Sequence, residues 1–112
     1  MDSNQIYAQT LSQLGDALVK MTSPEWDNLL QSATAEERQA AAKLMIQTQQ
    51  ARLALGNAVF EDIADQLKLN EAGLRAGINA LDETLKTLSS VTQVLNTVGS
   101  LLTIVGRIVS LV

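Results

Sequence analysis

The sequence contains no histidine and no cysteine. Thiol nucleophiles, histidine bases, disulfide bridges and the commonest zinc and haem ligands are therefore all absent. It also lacks a glycine-rich phosphate loop and a serine nucleophile motif of the GxSxG type. These absences exclude most familiar catalytic chemistry. We predict that the protein is not an enzyme and that it uses no cofactor.

Basic and aromatic residues are also scarce. Eight Lys and Arg stand against twelve Asp and Glu, giving a formal net charge of −4, and the basic residues are scattered along the chain. A nucleic-acid binder needs a concentrated basic surface, so no nucleic-acid partner is expected. With only one Trp, one Tyr and one Phe, the core must consist mainly of aliphatic side chains. This composition is typical of a helical bundle.

The length of 112 residues leaves room for one domain, which we predict over residues 1–112. The chain begins with polar and acidic residues, MDSNQIYAQ. A secretory signal peptide would begin with basic residues and continue with an apolar run. We therefore expect cytoplasmic synthesis without such a signal, and leave association with a membrane open.

Helical spacing and capping residues divide the chain into four predicted helices. Apolar residues recur in steps of three and four from Tyr7 to Met21, and Ser23 followed by Pro24 is typical of a helix start. Thr34, three residues before a Glu, indicates a capping box. The predicted helices cover residues 4–21, 24–31, 35–67 and 71–112.

The two long predicted helices dominate the expected architecture. We expect a turn at residues 68–70, with a continuous helix as the alternative. The turn joins the two helices into an antiparallel hairpin, and the two short N-terminal helices pack against its C-terminal half. The regular alternation of steps is interrupted between Leu85 and Val91, so we expect a local bend or overwinding of the helix at Ser89 and Ser90. The predicted fold class is an all-α small helical bundle.

The segment from Thr87 to Val112 has one charged residue, Arg107. As a helix, it has two contrasting faces. The first, called the apolar face, consists of Val91, Val94, Leu95, Val98, Leu101, Leu102, Val105, Ile108 and Val109. The second, called the small-residue stripe, consists of Thr92, Asn96, Gly99, Thr103, Gly106 and Ser110.

Small residues in steps of three and four let another helix approach closely. We therefore predict that the small-residue stripe is a contact surface, where leucine at Gly99 or Gly106 would overpack and destabilise the protein or its self-association. The leading functional prediction is a non-catalytic helical interaction module that self-associates, or binds an apolar partner protein, through its C-terminal half. Trp26 is a candidate anchor, because tryptophan is enriched at binding hot spots, although a core position is the commoner role.

A membrane is the alternative partner. The C-terminal residues 91–112 are apolar enough for a marginal membrane span, with the apolar face toward lipid and the small-residue stripe toward other helices or a pore. The competing explanation of the same lack of charge is burial inside a soluble bundle. If residues 91–112 enter a membrane, the protein is a membrane-inserting or pore-forming protein.

Two further patterns are assigned no site. Glu61 and Asp65 lie one helical turn apart with Asp62 between them, which is typical of a solvated helix face. Because no calcium-binding loop accompanies them, no metal site is predicted. Gly73 and Gly77 form a GxxxG pattern, which we expect to allow close approach to the preceding long helix.

Overall fold

The computed structural model describes residues 3–109, which form helices and, over that range, no β-strand. The predicted all-α fold class is confirmed. The helices are α1 (Ser3–Lys20), α2 (Pro24–Gln31), α3 (Ala35–Asn57), α4 (Phe60–Leu69), α5 (Glu71–Thr87) and α6 (Val91–Val105).

Side-chain caps confirm the predicted starts of α2 and α3. The Trp26 backbone N–H donates to Ser23 Oγ at 3.3 Å, and Pro24 is the first residue of α2. At α3, the Glu37 N–H donates to Thr34 Oγ1 at 3.1 Å, while the Thr34 N–H donates to the Glu37 carboxylate at 3.0 Å. Such bonds satisfy backbone donors that have no acceptor within the helix.

The region expected to form one helix over 35–67 contains two helices. α3 ends at Asn57, Ala58 is extended with φ −70° and ψ 145°, and α4 begins at Phe60. Glycine and asparagine are weak helix formers, and both occur at positions 56–57 just before the break. Apolar spacing is helical on both sides, so periodicity alone does not reveal the interruption.

The second long predicted helix, over 71–112, also contains a break. Leu88 has a left-handed conformation with φ 42° and ψ 47°, which ends α5. The Gln93 N–H then donates to Ser90 Oγ at 3.1 Å and caps α6. The bend expected at Ser89 and Ser90 is therefore a complete chain reversal, and α6 runs back along α5. Packing of α6 must outweigh a cost of about 1–2 kcal/mol for the left-handed leucine.

The four longer helices form a ring in the order α1, α3, α6, α5, in which each helix packs on two neighbours. α5 and α6 are antiparallel, since Gly73 faces Ile104. α3 and α6 run parallel and begin side by side, where Thr92 Oγ1 donates to Glu37 Oε2 at 3.0 Å. α2 links α1 to α3, and α4 packs on α1 and α5.

This ring differs from the expected hairpin carrying α1 and α2 on its C-terminal half. α1 packs mainly on α3 and α5, not on α6. The reversal at residues 88–90 explains the difference, because it brings α6 into the space between α3 and α5.

The core consists of aliphatic side chains together with a few buried polar residues. Thr10, Thr48 and Thr84 are buried, and each hydroxyl donates to the carbonyl four residues earlier at 2.7–2.8 Å. Gln13 is also buried, but its amide nitrogen Nε2 has no hydrogen-bond partner among the described residues. The unpaired amide nitrogen of Gln13 therefore lowers the stability of the core.

Replacing Gln13 with leucine is expected to raise the free energy of unfolding by about 1–3 kcal/mol, because it removes an unpaired buried donor while keeping similar bulk. Urea unfolding followed by circular dichroism measures the change. The control, Gln13→Asn, keeps an amide and shortens the side chain, so it should not stabilise. A leucine variant less stable than the native chain would contradict the absence of a partner.

Candidate interaction surface

The apolar face of the C-terminal segment lies inside the bundle. Leu95 and Val109 are partly buried against the core, and the other members are buried. α6 therefore uses this face for folding. The buried members are Val91, Val94, Val98, Leu101, Leu102, Val105 and Ile108.

The small-residue stripe lies on the outer side of α6. Gly99 is partly buried, and a Cβ atom at this position would have no neighbour within 4 Å. Overpacking at Gly99 would therefore require a second molecule. Ser110 lies outside the described residues. The exposed members are Thr92, Asn96, Thr103 and Gly106.

The stripe borders an open groove of about 430 Å³ between α3 and α6. Leu44 and Gln47 form its α3 side, and Gly99 and Thr103 contribute from α6. A groove with small residues along its α6 side can receive the ridge of side chains from another helix. The remaining lining residues are Leu102, Gly106 and Arg107.

Hydroxyl groups near the stripe already have acceptors within α6. Ser100 Oγ donates to Asn96 O at 2.9 Å, and Thr103 Oγ1 donates to Gly99 O at 2.9 Å. Thr97 Oγ1 donates to the carbonyl four residues earlier at 3.0 Å. Burying a polar group is costly when its hydrogen bonds to water are lost without replacement. Thr103 is the one of these three residues that belongs to the stripe, and its hydroxyl keeps its bond when another molecule covers it.

Glu37 connects the starts of α3 and α6. The backbone N–H of Thr34 is the largest cause that lowers the pKa of Glu37, followed by the hydroxyls of Thr92 and Thr34. All three hydrogen bonds stabilise the ionised form of the Glu37 carboxyl group relative to its protonated form. This connection is therefore present at neutral pH and weakens as the pH falls through the lowered pKa.

The GxxxG pair lies against α6, whereas we expected the preceding long helix as its neighbour. A Cβ on Gly77 would lie 3.2 Å from Leu101 Cδ1, and one on Gly73 would lie 3.3 Å from Ile104 Cδ1. The two glycines therefore allow close approach of α5 to α6 instead of to the preceding helix. The chain reversal before α6 is the reason.

Trp26 is 2% exposed and belongs to the core. It is not accessible as a binding anchor in this structure, so its candidate role is replaced by a packing role. The other two aromatic residues also pack internally. Tyr7 and Phe60 form an edge-to-face pair with ring centroids 5.7 Å apart, and Tyr7 Oη donates to Leu55 O at 2.9 Å.

The acidic residues Glu61, Asp62 and Asp65 are exposed on α4. Across residues 3–109, no three acidic side chains converge in a way that could hold a metal ion. Over the same range, none of the helices combines the length and hydropathy needed to cross a membrane.

The outer face of α3 carries exposed apolar residues that the sequence analysis did not single out. Ile46 is 56% exposed and Leu53 is 65% exposed. Leu53 also lines a second groove, of about 640 Å³, between α1 and α3. The sequence did contain a signal for this surface. Apolar residues recur with helical spacing on two sides of α3, and only one of those sides can face the core.

Comparisons with known proteins gave no match. No family model, curated protein or solved structure matches this chain. Its function is therefore inferred from its own residues.

Proposed function

We propose that the protein is a non-catalytic helical interaction module that self-associates through the small-residue stripe of α6. The observation that carries the proposal is that α6 has no charged residue, although one side of it is exposed. The exposed side of a surface helix ordinarily carries charged residues. The other five helices each contain charged residues.

Net charge favours this face over the rest of the surface. Two copies with a formal charge of −4 each repel one another. Contact through uncharged helices avoids placing like charges directly against each other, and the groove beside α3 can receive the facing helix. The same face on both copies gives a two-fold symmetric dimer, the commonest form of self-association.

Side-chain entropy also favours the stripe. Glycine, threonine and asparagine lose less rotamer freedom on contact than the long charged side chains found elsewhere on the surface. Gly99 and Gly106 allow the backbones to come close. The bond from the Thr103 hydroxyl to Gly99 O limits the cost of removing water from that hydroxyl.

Two adjacent lysine substitutions test the proposal. Gly99→Lys places a charge in the stripe, whereas Ser100→Lys places the same charge on exposed surface outside it. In sedimentation equilibrium, we expect Gly99→Lys to weaken dimerisation at least about tenfold, equivalent to about 1.4 kcal/mol. Ser100→Lys should leave the dimerisation constant nearly unchanged.

Thermal melting at low protein concentration distinguishes misfolding from loss of contact. Gly99→Lys should melt no lower than the native chain, because lysine is a better helix former than glycine by up to about 1 kcal/mol and has space at this position. Equal dimerisation of both lysine variants would contradict the proposed surface.

Membrane insertion by residues 91–112 is the alternative proposal. It requires the bundle to open, because the apolar face of α6 forms part of the core. Dye release from anionic and neutral vesicles tests it on the same protein preparation. Release that accompanies insertion of the C-terminal segment would favour this alternative over self-association.

A further inference from the structure

The outer face of α3 has a regular row of six exposed residues that no helix covers within residues 3–109. The spacing alternates steps of three and four, as in the contact seam of a coiled coil. No member is charged. This row, called the α3 stripe, consists of Gln39, Ala42, Ile46, Gln49, Leu53 and Gly56.

A groove between α1 and α3 extends the α3 stripe toward α1. Its apolar wall includes Leu11, Leu18 and Leu53, and its volume of about 640 Å³ is enough for several side chains. Gly56 also lines it, and a Cβ there would have a single neighbour within 4 Å, Leu11 Cδ2 at 3.9 Å. Arg52 lies at the groove, with its guanidinium carbon 3.6 Å from the position of a Cβ on Gly15.

The charged residues of α3 after Glu37 all have one sign. Arg38, Lys43 and Arg52 are the charged residues between positions 38 and 60, in a chain whose net charge is −4. All three are exposed, and none forms an ion pair within the part of the chain that the structure describes. The basic groups are therefore available to an external carboxylate.

We propose that the α3 stripe and the adjoining groove dock an amphipathic helix of a partner protein, with apolar contact residues and acidic flanks. The apolar residues fit between Leu53 and the α1 wall, while carboxylates reach Lys43 and Arg52. A second copy fits less well, because pairing two α3 helices would bring two sets of basic side chains together. This surface is distinct from the small-residue stripe. Its proposed occupant is a helix of another protein, whereas the small-residue stripe is proposed to contact a second copy of this chain.

Two synthetic helical peptides of about three heptads provide the test. Both carry Leu at the a and d positions and differ at e and g, where one has Glu and the other has Lys. Fluorescence anisotropy at low salt should give at least about tenfold tighter binding of the Glu peptide. The difference should shrink as salt rises, because screening weakens exposed ion pairs.

Matched variants locate the binding site. Leu53→Gln should weaken binding of the Glu peptide at least about tenfold. Leu69→Gln removes an apolar side chain that is 77% exposed on α4, away from the groove, and should leave binding unchanged. The double variant Lys43→Glu with Arg52→Glu should reverse the preference between the two peptides.

Three results would overturn the proposal. They are equal affinity for the Glu and Lys peptides, equal effects of Leu53→Gln and Leu69→Gln, or a dimer of the native chain that Leu53→Gln disrupts and Gly99→Lys does not. The last result would assign this surface to a second copy. Circular dichroism of each variant checks that the helices are intact, since the substituted side chains are exposed.

Discussion

Leu102→Asp is expected to lower the free energy of unfolding by about 3–5 kcal/mol, enough to unfold a large fraction of a marginally stable domain. Leu102 is 6% exposed and packs in the core. The substitution removes aliphatic contacts and withdraws most of a carboxylate from water. Urea unfolding and thermal melting measure the loss.

The control is Ser100→Asp, two residues away in the same helix. Ser100 is exposed, so a carboxylate there stays hydrated. The substitution removes the hydroxyl bond to Asn96 O but buries no charge. We expect a change within about 0.5 kcal/mol, as for most surface substitutions. Similar losses for the two variants would contradict the orientation of α6.

Deleting residues 1–22 is expected to abolish cooperative unfolding and to cause aggregation. α1 occupies one position of the four-helix ring and packs on α3 and α5. Ile6, Leu14 and Ala17 are completely buried. Without α1, the facing sides of its two neighbours expose a continuous apolar surface.

Light scattering and thermal melting by circular dichroism measure the consequence of this deletion. A milder matched variant, Ala17→Asp, keeps the chain length and should destabilise through the same interface. A truncated chain that stays monomeric, unfolds cooperatively and keeps the same helicity per residue would contradict the packing of α1.

Local chemistry in the sequence was enough to predict the helix starts. Ser23 with Pro24, and Thr34 with Glu37, place their bonding groups within one turn, so no distant contact is needed to interpret them. The breaks are different. Leu88 adopts a left-handed backbone that leucine alone disfavours, and it does so where α6 turns back onto the bundle.

The candidate surfaces were predictable only in part. Periodicity identified the apolar face and the small-residue stripe of α6, but could not specify which helices would cover each face. Trp26 has the chemistry of an anchor, yet the position of α2 buries it. The α3 stripe was missed because Ile46 and Leu53 look like core residues until other apolar residues of α3 are known to face inward.

Self-association through α6 is tested most directly by sedimentation equilibrium of the native chain and Gly99→Lys, without detergent, from about 1 μM to about 1 mM. The proposal predicts that the apparent mass of the native chain rises from 12.0 kDa toward twice that value. Gly99→Lys should reach the same apparent mass only at concentrations at least about tenfold higher. A native chain that stays monomeric throughout, or a Gly99→Lys chain that dimerises equally well, would contradict it.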